Sequence, residues 1–505
     1  MRHGQQGRLP TLGAGSVEFA QFDARKEAAD ALEYLRKESL DIYNRLHSIA
    51  EDATFVDQVH QAYPLIPLLP NLRCGSWYSN PSIALDVPAY FKSTDGHFSN
   101  WSFNLRRANL HLLRVVVDSD GIMLVDSTRA GKRIPDALSK TVPIWCAVIN
   151  RTMALRFPDI PRGQWDPALY TPPGAVSSQE HNQIEERLGA WAEALHKSSF
   201  ALPRLNLPLR PMWITPTTTT LPTLDMKDPI FTPVICVSAS KQATSGTERR
   251  NGGFSYIQGS GDDHELWSMG LTPSLFWQHK DDLLAADRSQ LPHLISSLVT
   301  QGNTNGKTPP SPIAKVGGRL SICAISDLEG PQVPGVITPG GHELDMAYIF
   351  LTSDDAGAAG VIFSDSAPPV LQLRVPDGKK GQIHFLQDAL PRSVTYIQKY
   401  LSDRKHICIA CNTGQDMSVG VALTALQKFF DDEGNLALFE PAPLRPFTLK
   451  DLYPDKKSIR TRLEWIISSR PLANPSRTTL KRVNEFLLTS SSFRAVSLTS
   501  SSLPD

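Results

Sequence analysis

The sequence predicts an α/β fold in two units, an α+β N-terminal domain followed by a three-layer α/β domain. Three observations carry this. Short apolar runs of strand length alternate with stretches of helical period along most of the chain. One central segment, QGNTNGKTPPSP from Gln301 to Pro312, is dense in residues that interrupt regular structure. And 505 residues, 41% hydrophobic and 20% charged, suffice to bury two or three ordinary cores without disulfides or metals.

Taken in order, residues 1–17 are Gly-rich and polar, and a disordered start is expected. Between Phe19 and His60 apolar residues recur at helical spacing, among them Leu32, Leu35, Ile42, Leu46 and Ile49, which predicts one long amphipathic helix or a helix pair. HLLRVVVD, GIMLVD, PIWCAVI and PVICVSA then read as strands. A first break, containing PTTTTLP, falls between Pro208 and Pro222. The better linker is 301–312, so the N-terminal domain is placed at 18–300 and the C-terminal domain at 313–505. In the latter LSICAIS, AYIFLTS, GVIFSDS and HICIAC are strand candidates, and VGVALTALQKFFDDEG is helical. No fixed-period repeat is present, which excludes a solenoid or propeller.

Composition narrows the class. No run approaches the roughly 18 to 20 apolar residues that span a bilayer, and the start lacks an apolar secretory segment, so a soluble cytoplasmic protein is expected. Six scattered cysteines, mostly in strand-like runs, read as reduced thiols. A formal net charge of zero argues against nucleic-acid binding by bulk charge and leaves it to local patches.

Four segments carry candidate chemistry. FKSTDGHFSNWSFNLRRANL, from Phe91 to Leu110, crowds Lys92, Asp95, His97, Arg106 and Arg107 around Trp101 and Phe103. Aromatics that stack on bases beside cations that pair with phosphates are the pattern of RNA contact. After the strand GIMLVD comes a small, basic loop in which Ser127, Thr128, Arg129, Lys132 and Arg133 precede IPDALSKT. A strand running through such a loop into a helix with an early Pro makes an anion cradle, and the spacing is not that of a Walker loop. The third segment, IQGSGDDHELW, sets Asp262 and Asp263 beside His264 and Glu265. Such acids suit a Mg²⁺ shell, ribose hydroxyls or a general base, and equally a helix start.

The fourth segment is Cys411-Asn-Thr413-Gly414-Gln415-Asp416-Met417-Ser418, between the strand HICIAC and a helix. Amides of a tight Gly-containing turn at a helix N-terminus welcome an anion. The pattern resembles the cysteine loop of dual-specificity phosphatases. It departs from it at Ala410, where those enzymes have His, and at Met417, where they have the phosphate-gripping Arg. Without those partners Cys411 is expected to be a weak nucleophile. Upstream, VPDGKKG offers Asp377 as a relic acid and Lys379 and Lys380 as positive charge. Beyond the loop, Lys456, Lys457 and Arg460 lead a basic stretch in which Leu463, Trp465, Ile466 and Ile467 predict packing. A basic helix of this kind is a phosphate-backbone footprint, though a solvated face looks the same.

Taken in order, FKSTDGHFSNWSFNLRRANLHLL, VDSTRAGKRIPDALSKTVPIWCAVINR, IQGSGDDHELW and CNTGQDMSVG resemble the initiator tRNA ribosyl phosphate transferases of fungi and plants over most of the chain. The resemblance implies transfer of a 5-phosphoribosyl group from phosphoribosyl pyrophosphate to the 2′-hydroxyl of adenosine 64 in initiator tRNA, which excludes that tRNA from elongation. It also implies a family-specific N-terminal domain and a C-terminal domain like a dual-specificity phosphatase. On it, Ser127, Thr128, Arg129, Lys132 and Arg133 hold donor phosphates, Asp262 and Asp263 hold Mg²⁺ or ribose, and Asp95 or His97 serves as base or orients it. Lys92, Trp101, Arg106, Arg107, Lys379, Lys380, Lys456, Lys457 and Arg460 are then expected to face RNA. The alternatives are a non-catalytic RNA-binding protein with a degenerate phosphatase domain, and a residual phosphatase.

Overall fold

The computed structural model describes residues 33, 36–72, 74–129, 131–160, 163, 165–225, 227–243, 247–302, 309–328, 345–353, 368–376, 378–437 and 454–488. The expected disorder of 1–17, the strand GVIFSDS and Asp377 lie outside them.

The N-terminal unit is built on four strands, β1 (Leu68–Pro70), β2 (Ile122–Asp126), β3 (Leu209–Ile214) and β4 (Thr232–Ser238), ordered β1-β2-β4-β3. All four are parallel, and with the surrounding helices they give the mixed helix-and-sheet unit expected. A parallel sheet needs crossovers that cover both faces, which is why β2 is buried at every position. Met123 and Val125 face helix α1 (Ile42–Ala62), while Ile122 and Leu124 face the core built on helices α2 (Leu112–Ser119), α3 (Val142–Arg156) and α4 (Ser178–His196). Asp41 caps α1 by accepting the Asn44 N–H at 3.0 Å, ending the helical residues before it and giving the helix pair. A small antiparallel hairpin, β5 (Thr247–Arg249) and β6 (Ser255–Ile257), and helices α5 (Pro273–Gln278), α6 (Lys280–Ala285) and α7 (Leu291–Gly302) complete the unit.

Two expected strands are helices. HLLRVVVD forms α2, whose buried Leu112, Leu113 and Val116 lie at helical spacing. PIWCAVI lies in α3, with Pro143 in its first turn and every residue from Val142 to Asn150 buried. A continuous apolar run fits a buried helix as well as a buried strand, and here packing between the sheet and α4 decides. Pro208 to Pro222 is no boundary either: it contains β3, whose edge is tied to α3 where Asn150 accepts the Leu209 N–H at 2.8 Å and donates to its carbonyl at 2.9 Å.

In the C-terminal unit β7 (Ser311–Pro312), β8 (Leu320–Ala324), β9 (Met346–Thr352), β10 (Val370–Arg374) and β11 (His406–Cys411) are ordered β10-β9-β11-β8-β7. Only β7 is antiparallel, and it joins the sheet from within the expected linker. Helices α8 (Gly378–His384) and α9 (Leu390–Ser402) lie between β10 and β11, and α10 (Met417–Phe429), α11 (Lys456–Ser469) and α12 (Arg477–Leu488) come after β11. Ile322, Ile349 and Ile409 share a core with α9–α12, and Cys323, Tyr348, Phe350 and Cys408 form a second buried cluster. Helix α11 docks on the N-terminal unit, where Glu464 accepts the Ser199 N–H at 3.0 Å and its hydroxyl at 2.6 Å.

Candidate functional site

Open parallel sheets bind ligands beyond the carboxyl ends of their strands. The loop after β2 occupies that position, and three of the four sequence-predicted segments meet there. Gln258 lies behind the loop and donates its amide to the carbonyls of Thr128 (3.3 Å), Arg129 (3.1 Å) and Lys132 (2.7 Å). In a trans peptide the N–H points opposite the preceding carbonyl, so these bonds turn the Arg129 and Arg133 N–H groups away from Gln258. Gly259, at φ +70°, lets the two loops touch: a Cβ there would meet the Thr128 carbonyl oxygen at 2.6 Å. Arg129, Gly131, Lys132 and Arg133 are exposed, and Thr128 is partly so. Ser127 is fully buried, so it anchors the loop and does not face a donor phosphate, contrary to expectation.

Two of the three loop cations are held by carboxylates. Arg129 pairs with Asp263 and lies 3.9 Å from Asp262. Lys132 reaches Asp136 at 2.5 Å, and the buried Lys140 reaches the same carboxyl at 2.9 Å. Burial pushes the Asp136 carboxyl up, but the two lysines outweigh it and hold it below its ordinary value. Arg133 donates to the Thr215 hydroxyl at 3.2 Å. Arg45, which sequence reading missed, donates to the Ser260 carbonyl at 2.8 Å behind the acids.

Gly96 brings the segment from Phe91 to Leu110 against this site, since a Cβ there would meet the Asp136 carbonyl oxygen at 2.7 Å. His97 is exposed, 3.7 Å from Asp136. Asp95 is not a free base: Arg107 grips it with two bonds, at 2.8 and 2.6 Å, and Ser102 donates to it at 3.0 Å. Arg107 is correspondingly occupied. Trp101 is not an open stacking surface either. It is buried, its indole donates to Glu180 at 2.9 Å, and the Arg187 guanidinium lies 4.9 Å from its ring centre. The exposed aromatic of the segment is Phe98, set edgewise to Trp101.

Among the described residues no three His, Cys, Asp or Glu side chains gather as a metal shell. Asp262 is buried and Asp263 engages Arg129, so this pair alone does not provide the ligand set of a magnesium ion. Asp263 adopts a left-handed φ of 45° before a short 3₁₀ turn, without capping it through its side chain.

The fourth segment lies in the other unit. β11 delivers Cys411 into its loop, and α10 begins at Met417. The Ser418 hydroxyl is 3.1 Å from the sulfur, and backbone N–H groups of Ser418, Asp416 and Gly414 point at it. Burial pushes this thiol up, yet those bonds prevail and hold it below the ordinary cysteine value. The expectation of a weak nucleophile rested on the absent His and Arg, and the amides do part of what those would do. The loop is closed from behind by the C-terminal segment. Buried Arg470 donates to the Gly414 carbonyl at 2.8 Å, to Ser311 at 3.0 Å and to the Ile322 carbonyl at 3.3 Å. Asp416 accepts the Ser476 N–H at 2.8 Å, and Gln415 accepts that of Asn474 at 3.0 Å. Thr413 accepts the Gln415 N–H at 3.3 Å within the loop. Among the described residues no hydrogen bond or ion pair joins this loop to the one after β2.

The expected RNA-facing cations divide. Lys379, Lys380, Lys456, Lys457 and Arg460 are exposed, with Arg460 reaching Glu464 at 3.3 Å, and Lys92 is half-buried. Where the units meet, the 3₁₀ turn Leu105–Arg107 packs on α11 beside a groove of about 300 Å³ lined by both units, including Tyr90, His111, Phe200, Ile467 and Pro471. Burial, then the charges of Arg107 and Arg477, depress the pKa of Arg106 there. Arg462, from the same basic stretch, is buried and holds the Leu426 and Phe430 carbonyls at 3.2 and 2.8 Å.

This arrangement defines a class: a two-unit α/β protein with an exposed cation-rich loop at the carboxyl edge of the sheet in its first unit and a thiol-centred loop at a helix N-terminus in its second. Residues 35–300 match the family model described as the Rit1 N-terminal domain, and residues 369–487 match the Rit1 DUSP-like domain. The chain belongs to this family. It is 35% identical to the tRNA A64-2′-O-ribosylphosphate transferase of Saccharomyces cerevisiae, over 90% of this chain and 93% of that protein. It is 33% identical to an uncharacterized protein of Schizosaccharomyces pombe, over 91% and 97% of the two chains. Among solved structures it is similar to a mouse putative dual specificity phosphatase complexed with zinc tungstate (17% identity, TM-score 0.24, 39% of this chain and 96% of that one). Human DUSP28 is similar as well (10% identity, TM-score 0.23, 36% and 93%).

Proposed function

We propose that this protein transfers a 5-phosphoribosyl group from phosphoribosyl pyrophosphate to the 2′-hydroxyl of adenosine 64 of initiator tRNA. The observation that carries the reading is the loop after β2, whose exposed Arg129, Lys132 and Arg133 stand at the carboxyl ends of parallel strands, with Arg129 facing the carboxylates of Asp262 and Asp263. Kinship with a transferase so named, along nine-tenths of the chain, supports it.

In this reading a C–O bond forms between the RNA 2′-oxygen and the anomeric carbon as the bond to pyrophosphate breaks. Lys132 and Arg133 stabilise the charge developing on the leaving group, the effect of preorganised cations in a sheltered site. Arg129 exchanges Asp263 for phosphate. His97, beside Asp136, is the better placed acceptor for the hydroxyl proton, because both Asp95 oxygens are engaged. Magnesium, where used, is expected to travel with the donor's pyrophosphate, and no step here needs a protein-built shell. Arg106 and Arg477 at the junction of the units, with the exposed lysines of α8 and α11, are proposed to meet RNA phosphates. The protein would act in the cytoplasm and withdraw the modified tRNA from elongation.

The test combines purified protein, initiator tRNA and phosphoribosyl pyrophosphate labelled in the ribose, with label scored on RNA. Transfer confined to initiator tRNA and lost when adenosine 64 carries a 2′-deoxyribose supports the reading. Binding of the tRNA without transfer would leave a non-catalytic RNA-binding protein. Phosphate release from an aryl phosphate, abolished by Cys411→Ser, would establish the residual phosphatase instead.

A further inference from the structure

Beneath the donor loop lies a buried polar chain that the proposed reaction does not use. Asp52, on α1, is 3% exposed and has no cationic partner among the described residues. One of its oxygens lies 2.6 Å from the Ser240 hydroxyl, just beyond β4. The other accepts the Tyr256 hydroxyl at 2.8 Å, and the Lys241 backbone also bonds the carboxyl. Ser240 in turn is 2.6 Å from the Ser127 hydroxyl, and Ser127 bonds Tyr78. Two amides of the facing loop end on this chain: Gly259 donates to Ser240 at 3.2 Å, and Gly261 donates to the Tyr78 hydroxyl at 2.7 Å.

Each hydroxyl has one hydrogen to give, so the charge on Asp52 dictates the direction of the whole chain. Ionised, it takes the Ser240 hydrogen; Ser240 then takes that of Ser127, and Ser127 that of Tyr78, and every hydrogen is used. Neutral with its proton on the oxygen that faces Ser240, it donates to Ser240, the order reverses, and the Tyr78 hydrogen is left without a place in the chain; with the proton on the other oxygen it donates to Tyr256, which passes its own to the Lys241 carbonyl at 3.1 Å. We infer that Asp52 is a positioning residue: through Ser240 and Ser127 it sets how firmly the loop after β2 is locked to the Gly259–Asp263 loop. What the locked loops bind rests on the donor reading above; the locking itself does not.

Burial raises Asp52 from an ordinary 3.8 to about 8, against the opposing bonds from Ser240, Tyr256 and Lys241. The other groups facing it are Glu51, which adds to the rise, and Tyr78 and Tyr256, whose hydroxyls burial pushes well up so that they stay neutral through this range. The reversal therefore falls near pH 8, where charge-assisted bonds replace neutral ones.

Hydrogen exchange at the Gly259 and Gly261 amides, normalised to the β2 amides, reads the lock directly. In the full-length protein protection of both is expected to rise with a midpoint near pH 8. Asp52→Asn, whose amide mimics the neutral acid as a donor to Ser240, is expected to lose that midpoint while keeping protection at pH 7. Ser240→Ala, a smaller perturbation should the first variant fold poorly, is expected to lose Gly259 protection at every pH. An unchanged midpoint in Asp52→Asn, or unchanged Gly259 protection in Ser240→Ala, overturns the inference. The readout needs no donor. A protein with the Asp52 midpoint that transferred no phosphoribosyl group would uphold the lock and overturn the donor reading.

Discussion

The loop after β2 and the loop after β11 are built alike and equipped in opposite ways. Each leaves the end of a buried parallel strand and runs into a helix, and each is held from behind by a side chain that donates to its backbone, at three carbonyls in the first and at Gly414 in the second. In the first that side chain is the neutral amide of Gln258, and the exposed rim carries Arg129, Lys132 and Arg133. In the second it is the buried guanidinium of Arg470, and the mouth holds a thiol with Met417 where a gripping cation would stand. The same backbone device is thus fitted with two different sets of side chains. Cations on the rim favour an incoming polyphosphate, whereas amides spent on a sulfur leave less field for one.

The largest test of this contrast is on the reaction. Lys132→Ala is expected to lower label transfer from phosphoribosyl pyrophosphate to tRNA by about 10²-fold, the typical loss of one preorganised charge-stabilising group. Cys411→Ser should leave the transfer rate unchanged. Equal losses from the two variants would break the contrast.

The second test is on stability. Arg470→Ala strands buried carbonyls of Gly414 and Ile322 and is expected to cost about 3 kcal/mol, read as a lowered midpoint in urea unfolding. Gln258→Ala, losing a neutral donor at a partly open loop, should cost roughly 1 kcal/mol. Equal costs would mean the two back-side holds are energetically alike.

The smallest effect concerns the thiol. Because the Cys411 pKa is depressed, its thiolate persists as pH falls below the range of an ordinary cysteine. Ser418→Ala removes a bond that lowers it, so burial should carry the pKa back up. Alkylation by iodoacetamide at neutral pH is then expected to slow by a few-fold. A faster reaction would show that access, not ionisation, limits this sulfur.

The sequence disclosed strands best where apolar runs were short and closed by turn residues. β2, β4, β8, β9 and β11 all fall where such runs stand. It misled where an apolar run was long enough for either element, as at α2 and α3, because burial on all sides erases the periodicity that separates the two. Within the site the basic loop and the acids were legible, since small, basic and acidic residues cluster locally. Burial was not: Ser127 and Trp101 are as polar or aromatic in the sequence as an exposed residue would be, and only tertiary packing turns them inward. Arg45 and Asp52 act across more than 70 residues of chain and carry no local motif, so nothing in their neighbourhoods announced them, while Gln258 stands inside IQGSGDDHELW but works on a loop too far away in sequence for its role to be read there.

The reach of Arg470 also bears on the order in which the protein is made. Its guanidinium stitches Ser311, Ile322 and Gly414 to a residue near the end of the described chain. The first sheet has all its strands once Ser238 has left the ribosome. The second waits for a clasp translated some 230 residues later, so a nascent chain passes through an interval with one unit folded and the other unfastened.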